Sequence, residues 1–319
     1  MQFIKSTIGA VLAKLVPSLA EAPQSIRDME ITTVTGAEKH QYTAALIPGY
    51  RLDRMLCQTL LFLWDREMSR HETGVRRGLW LGGPRRAGKT TGVEQFFAAL
   101  GVPVLSITCN RRIPLSDYIR QMLPDGTGGW MSLPGPLVIA MQQGYPVILN
   151  EVSGMDPADL LAMNDIIDRG FLATDDGSVI RAARGFMVFA TDNTMGSGDE
   201  TGLYGGTETQ NASTVSRFFK FKIGYPKPEE ELEILKNRFP TQPDAMLIEH
   251  IKFANAVRDA HAAGSRATLG TGELIDWVEI GSYFTDPFIG IQRVLLDGLS
   301  GADYEAVKSL YEAQFGVTA

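Results

Sequence analysis

The stretch that most restricts this chain is GPRRAGKTT, residues 83–91. Two glycines bracket four residues and are followed by Lys and Thr, the spacing of a loop that wraps its backbone N–H groups around phosphate. Context turns the pattern into a mechanism. An apolar run, Leu79–Leu81, leads in, and a helical pattern from Thr90 leads out. The loop therefore ends on a helix N-terminus, whose unpaired N–H groups and positive dipole end attract an anion. Gly83, Pro84, Arg85, Arg86, Ala87, Gly88, Lys89, Thr90 and Thr91 are the expected nucleotide-phosphate residues. Lys89 reaches the outer phosphates, and the Thr90 hydroxyl is placed to ligate Mg²⁺. Arg85 and Arg86 are unusual in such a loop. They add charge near the nucleotide, face a neighbouring subunit, or are solvated surface arginines.

Five short apolar runs bounded by turn signals follow one another: 78–82, 103–108, 146–150, 186–191 and 218–223. Helical patterns separate most of them, as at 90–100 and 156–169. Continuous apolar strands alternating with helices predict an α/β fold, a parallel sheet covered on both faces. The character changes at Pro226. KPEEELEILKNRF has an acidic first turn and a basic end, matching the helix dipole. Further helical patterns at 244–262, 272–283 and 302–315 predict a small all-α domain over 226–319, after a core over 46–225. Residues 1–45 form the remaining segment. There Ile4, Ile8, Val11, Leu12, Leu15 and Leu19 fall on one helical face, which predicts an amphipathic helix followed by a polar arm. Lys14 and Pro17 interrupt the apolar stretch, so it reads as this docking helix and not as a cleaved signal.

Composition removes several alternatives. The 319 residues carry a net charge of −7, so no global basic field draws the chain to nucleic acid or to an anionic membrane. Cys57 and Cys109 make no CxxC, and His40, His71, His250 and His261 show no ligand spacing. A structural zinc site or a disulfide framework is not expected, and a reducing cytoplasm is the default compartment. No run reaches the roughly 18 to 20 apolar residues that a membrane span needs.

Three further segments carry chemistry. The run at 146–150 ends in Asn150-Glu151, where a phosphate-loop protein places the strand that supports metal and water. Glu151 is the expected water-polarising carboxylate, against the alternative of an ordinary acid near a helix. Asn150 keeps an oxygen acceptor for Mg²⁺, through a bound water, but not the negative charge of the Asp more usual there. ATDNT, residues 190–194, offers Asn193 to orient the attacking water, although strand ends often carry Asn in turns. Arg217 precedes the fifth run in STVSRFFKF, as a trans-acting arginine or as a surface residue.

The order of phosphate loop, ILNE, FATDNT, SRFF and YPKPEEELEIL resembles AAA+ ATPases of the MoxR type. FATDNTMGSGDETGLYGGT is similar to the ATPase subunit of aerobic cobalt chelatase. The likeness runs from about residue 47 to the C-terminus. It implies an AAA+ core with a five-stranded parallel sheet, a helical lid, and assembly as a homo-oligomeric ring, commonly a hexamer. It also implies ATP and Mg²⁺ as cofactors, hydrolysis through Glu151, γ-phosphate sensing by Asn193 and an arginine finger at Arg217. Two insertions of that branch fit residues 123–136 and the hairpin 171–186, where Asp176-Gly177 is a strong turn signal. On the first, Trp130 and Met131 contact a pore or partner, or pin the loop to the core. Three positions depart from the pattern: Asn150, Ser216 in place of an Asp, and Gly272 near the place of a lid arginine, with Arg266 a few residues upstream.

The expected function is a chaperone-like remodelling ATPase acting on a partner with a von Willebrand A-like module, metal chelation being one version. A nucleotide-gated scaffold that does not hydrolyse, motivated by Asn150, and a nucleic-acid-directed motor are the alternatives. The acidic balance argues against the motor.

Overall fold

The computed structural model describes residues 2–37, 39–71, 74–174, 177–198 and 207–316. It divides into two compact units, Met1–Gly83 with Lys89–Ile223, and Pro84–Gly88 with Gly224–Ala319.

In the first unit β1 (Gln2–Thr7) pairs antiparallel with β2 (Glu30–Thr35), and Phe3 lies opposite Val34. The expected amphipathic helix is thus corrected. The first residues form a strand, and the helix that follows is broken into short pieces, Ile8–Leu12 and a 3-10 turn at Pro17–Leu19, with the Thr7 side chain accepting from the Ala10 N–H. The helical spacing does hold from Ile8 onward, where Ile8, Leu12 and Leu15 are buried, whereas Ile4 is exposed. The competing influence is non-local. β2 is fixed to the core by the Val34 N–H on Leu100 O and the Trp64 indole on Thr32 O, which gives β1 an edge to pair with.

The central sheet contains β3 (Gly78–Gly82), β4 (Leu105–Thr108), β7 (Val147–Asn150), β10 (Val188–Asp192) and β11 (Phe218–Lys222). Two hairpins fall between them in the chain, β5 (Arg120–Pro124) with β6 (Trp130–Pro134), and β8 (Phe171–Ala173) with β9 (Val179–Arg181). Asp176 of the expected turn, and residues 199–206 of the cobalt-chelatase-like stretch, lie outside the described residues.

The sheet order is β11-β3-β10-β7-β4, every pairing parallel, as an α/β fold of this class requires. Alternation along the strands sorts side chains into two cores. Leu79, Ile148 and Phe189 point to one, with Trp64, Phe96 and Phe97, while Trp80, Leu149 and Ala190 point to the other, with Met141 and Phe186. Each such fully buried large side chain contributes about 1.5–3 kcal/mol by leaving water. Because all five strands run the same way, their C-terminal ends share one edge. Register sets Gly82 beside Asp192, Thr191 beside Asn150, and Asn150 beside Thr108.

The second unit packs helices Pro228–Arg238, Asp244–Ala262, Thr271–Phe284, Pro287–Val294 and Gly301–Phe315 around Leu235, Phe253, Trp277 and Tyr311. Inside it, Arg258 donates to both carboxylate oxygens of Glu231 at 2.8 Å, and Thr271 Oγ1 donates to the same carboxylate. Among the described residues no helix is long and apolar enough to cross a membrane.

Candidate nucleotide site

The phosphate loop leaves the C-terminal end of β3 under tight steric terms. A side chain at Gly83 (φ +153°) would put its Cβ 2.1 Å from Ile223 O, so only glycine fits there. At Gly82 a Cβ would meet Met195 Sδ at 2.0 Å, because the loop after β10 packs its methionine onto the strand. Lys89 opens the helix Lys89–Ala99 and is almost fully buried. Its Nζ donates to Gly83 O and to Asn193 Oδ1, both at 2.8 Å. Burial pulls the Lys89 pKa down, and the carboxylates of Glu151 and Asp192 oppose that shift.

Asn150 is the hub of the second group. Its Oδ1 accepts from Thr90 Oγ1 at 2.6 Å and Thr191 Oγ1 at 3.2 Å, while its Nδ2 donates to Ser106 Oγ at 2.6 Å. That network sets which end of the amide is oxygen. Ser106, on β4, also hydrogen-bonds Glu94, whose pKa is raised by burial and lowered in part by this bond. A hydroxyl oxygen and an amide oxygen 2.6 Å apart are the donor chemistry Mg²⁺ takes, with waters and phosphate oxygens completing its shell. Both are neutral, and the described residues contain no cluster of three or more His, Cys, Asp or Glu. Thr90 and Asn150 therefore fit a cation that arrives with its charge balanced by the nucleotide.

Glu151 follows in the left-handed region (φ 52°, ψ 47°), which a non-glycine residue adopts only at a cost of about 1–3 kcal/mol. The described non-glycine residues with positive φ are Arg86, Glu151, Met195 and Thr285. Three of the four sit in the phosphate loop, just after β7 and just after β10, so strain gathers where the motifs do. Burial raises the Glu151 pKa above the ordinary carboxylate range, Lys89 pulls it back, and Asp192 adds to the rise.

Arg217 sits at the opposite, N-terminal end of the sheet, since Phe218 pairs with Gly78 and Lys222 with Gly82. Its Nε is 2.8 Å from Asp168 Oδ2. Trp130 and Met131 are on β6 with 66% and 45% of their surface exposed, so neither pins the hairpin to the core. Within the second unit Arg85 pairs with Glu273 and Arg86 with Asp276, at 3.4 and 2.5 Å, and both arginine side chains stay about half exposed. A Cβ at Gly272 would lie 2.8 Å from Arg86 Nε, so the loop arginine fills the space beside that glycine. Arg266 donates its backbone N–H to Asp303. Sequence reasoning missed Ser106, Thr191 and Asp192. Ser106 is a small hydroxyl on a strand without a motif, whereas Thr191 and Asp192 lie inside ATDNT, where an acidic residue closing an apolar strand was a visible signal for the latter.

The fold and these converging groups define a P-loop ATPase of the AAA+ class. Residues 78–218 match the family described as AAA domain (dynein-related subfamily). The chain is 34% identical over 161 residues to a midasin of Giardia intestinalis, half of this chain and 3% of that protein. It is 23% identical over 301 residues to the aerobic cobaltochelatase subunit CobS of a Sinorhizobium species, 91% of this chain and 88% of that one. A solved RuvB variant of Thermotoga maritima has a TM-score of 0.50 at 14% identity, covering 83% of this chain and 78% of that one, a likeness of fold alone. These likenesses support a MoxR-type AAA+ ATPase, the class that the motif order resembles.

Proposed function

We propose that this chain binds ATP with Mg²⁺, hydrolyses it, and uses the cycle to remodel a partner protein complex from within a homo-oligomeric ring. The observation that carries the reading is the convergence of Lys89 Nζ on Asn193 Oδ1 at 2.8 Å and of Thr90 Oγ1 on Asn150 Oδ1 at 2.6 Å. Three motifs distant in sequence thereby meet at one edge of the sheet.

Gly83–Thr91 holds the phosphates, and Lys89 gives up its present acceptors for the β and γ oxygens. Thr90 and Asn150 hold the Mg²⁺, which neutralises phosphate charge when bound. Glu151 accepts a proton from the attacking water, and Asn193 orients that water. Arg217 completes the site of a neighbouring subunit, which is consistent with its place at the far end of its own sheet. The client class we assign is a protein with a von Willebrand A-like module, contacted through Trp130 and Met131. A relative that is itself one subunit of a chelatase supports action within a complex. The test is phosphate release with ATP and Mg²⁺ by the wild type and by Glu151→Gln, followed by capture of partners on the ATP-locked variant. Release at background by both proteins would leave the nucleotide-gated scaffold, the reading that Asn150 favours.

A further inference from the structure

Asp192 closes β10, is completely buried, and accepts five hydrogen bonds on its two carboxylate oxygens. Oδ1 takes the Trp80 indole N–H at 3.0 Å and the Met195 backbone N–H at 2.8 Å. Oδ2 takes Ser153 Oγ at 2.8 Å, the Gly196 N–H at 2.9 Å and Thr194 Oγ1 at 3.2 Å. These donors come from three separate pieces of the site. Trp80 is in β3, which delivers the phosphate loop, and Ser153 is in the turn that follows Glu151. Thr194, Met195 and Gly196 form the loop that begins with Asn193.

We propose that Asp192 is a positioning residue for hydrolysis, fixing the Glu151 turn and the Asn193 loop to the strand beneath the nucleotide. The inference rests on the hydrolytic reading above. Glu151 and Met195 both hold left-handed backbone, which persists only where surrounding bonds over-determine it. Asp192 supplies such a bond on each side, through Ser153 and through the Met195 N–H itself. Lys89 keeps Gly83 O and Thr90 keeps Asn150 Oδ1 without Asp192, and only the second acceptor of Lys89, Asn193 Oδ1, lies in the loop that Asp192 anchors. Loss of the Asp192 carboxylate should therefore release the groups that orient water while leaving those that bind phosphate.

Asp192→Asn is nearly isosteric. Whichever way its amide turns, an NH₂ replaces an oxygen that accepts at least two donors, so the cluster cannot be re-satisfied without movement. Phosphate release is measured against ATP-Mg concentration for the wild type, Asp192→Asn, Ser153→Ala and Glu151→Gln. Thermal melts and the ¹⁵N indole resonance of Trp80 are followed alongside. The expected result is a kcat lower by about 10- to 100-fold in Asp192→Asn, the scale for losing a group that orients a catalytic one. KM should stay within about threefold, because phosphate-binding groups are untouched. The Trp80 indole resonance should move. Ser153→Ala, which removes a single donor, should lose about three- to tenfold in kcat on the same reasoning and decides the matter if Asp192→Asn does not fold. A purely structural role would lower the melting temperature and leave kcat of the folded protein unchanged, which would overturn the inference while Glu151→Gln stayed inactive. Wild type no faster than Glu151→Gln would overturn the hydrolytic reading and this inference with it.

Discussion

The two ends of the parallel sheet present different chemistry. At the C-terminal end a buried Lys89 is bonded to the Asn193 amide, and three hydroxyls gather on the Asn150 amide. At the N-terminal end, one strand length away, or about 15 Å, Arg217 is partly exposed and tied to Asp168. The first end has an oxygen donor set for a cation, a lysine for phosphate and a strained carboxylate. The second presents an arginine and none of the rest. On the proposed reading the two ends are complementary halves, which neighbouring subunits of a ring would bring together.

The sharpest way to break this comparison is Arg217→Ala. If the arginine serves a neighbour, turnover should fall about 1,000-fold, the lower bound for losing an arginine finger, while nucleotide binding persists. Mixing that variant with wild type should poison the assembly, and unchanged wild-type activity in the mixture would show that the two ends are independent. Lys89→Ala attacks the other end. Loss of its charge should cost about 100-fold or more in turnover and weaken nucleotide binding, read by titration with a fluorescent nucleotide. Asn150→Asp refines the picture rather than breaking it. A charged acceptor in place of a neutral one should lower the Mg²⁺ concentration for half-maximal rate by about fivefold. An unchanged Mg²⁺ requirement would mean that Asn150 does not face the cation. The smallest effect is expected from Asp168→Asn, which removes one partly exposed ion pair. Stability should change by no more than about 1 kcal/mol in a denaturant melt, and activity by a few-fold at most, as Arg217 becomes mobile.

These two ends also differ in how readable they were. The phosphate loop, the strand ending in Asn150-Glu151 and the strand leading to Asn193 are local signals. In each, an apolar run, a turn residue and a functional side chain lie within a dozen positions. The α/β fold followed from the same alternation. β1 was not legible, because its strand state depends on Glu30–Thr35, nearly thirty residues away in sequence and itself held by Leu100 and Trp64. Pro287–Val294 escaped notice because eight residues give too few turns for a helical period to stand out. The partners of Asn150 and Asp192 were invisible for another reason. Hydroxyls such as Ser106, Ser153 and Thr191 gain meaning only when parallel register brings their strands and turns together. The role of Asn150 illustrates this: alone it reads as a defect, whereas in the structure Ser106 accepts from its NH₂ and Thr90 donates to its oxygen.

The central claim is that the C-terminal edge of the sheet is a working hydrolytic site in which Glu151 activates water. The most direct measurement is phosphate release from ATP-Mg by wild type and Glu151→Gln, with nucleotide binding measured on both. The account predicts that the variant binds ATP as tightly as wild type and releases phosphate about 100- to 10,000-fold more slowly, the range for losing a general base. Equal rates of release in the two proteins would contradict it.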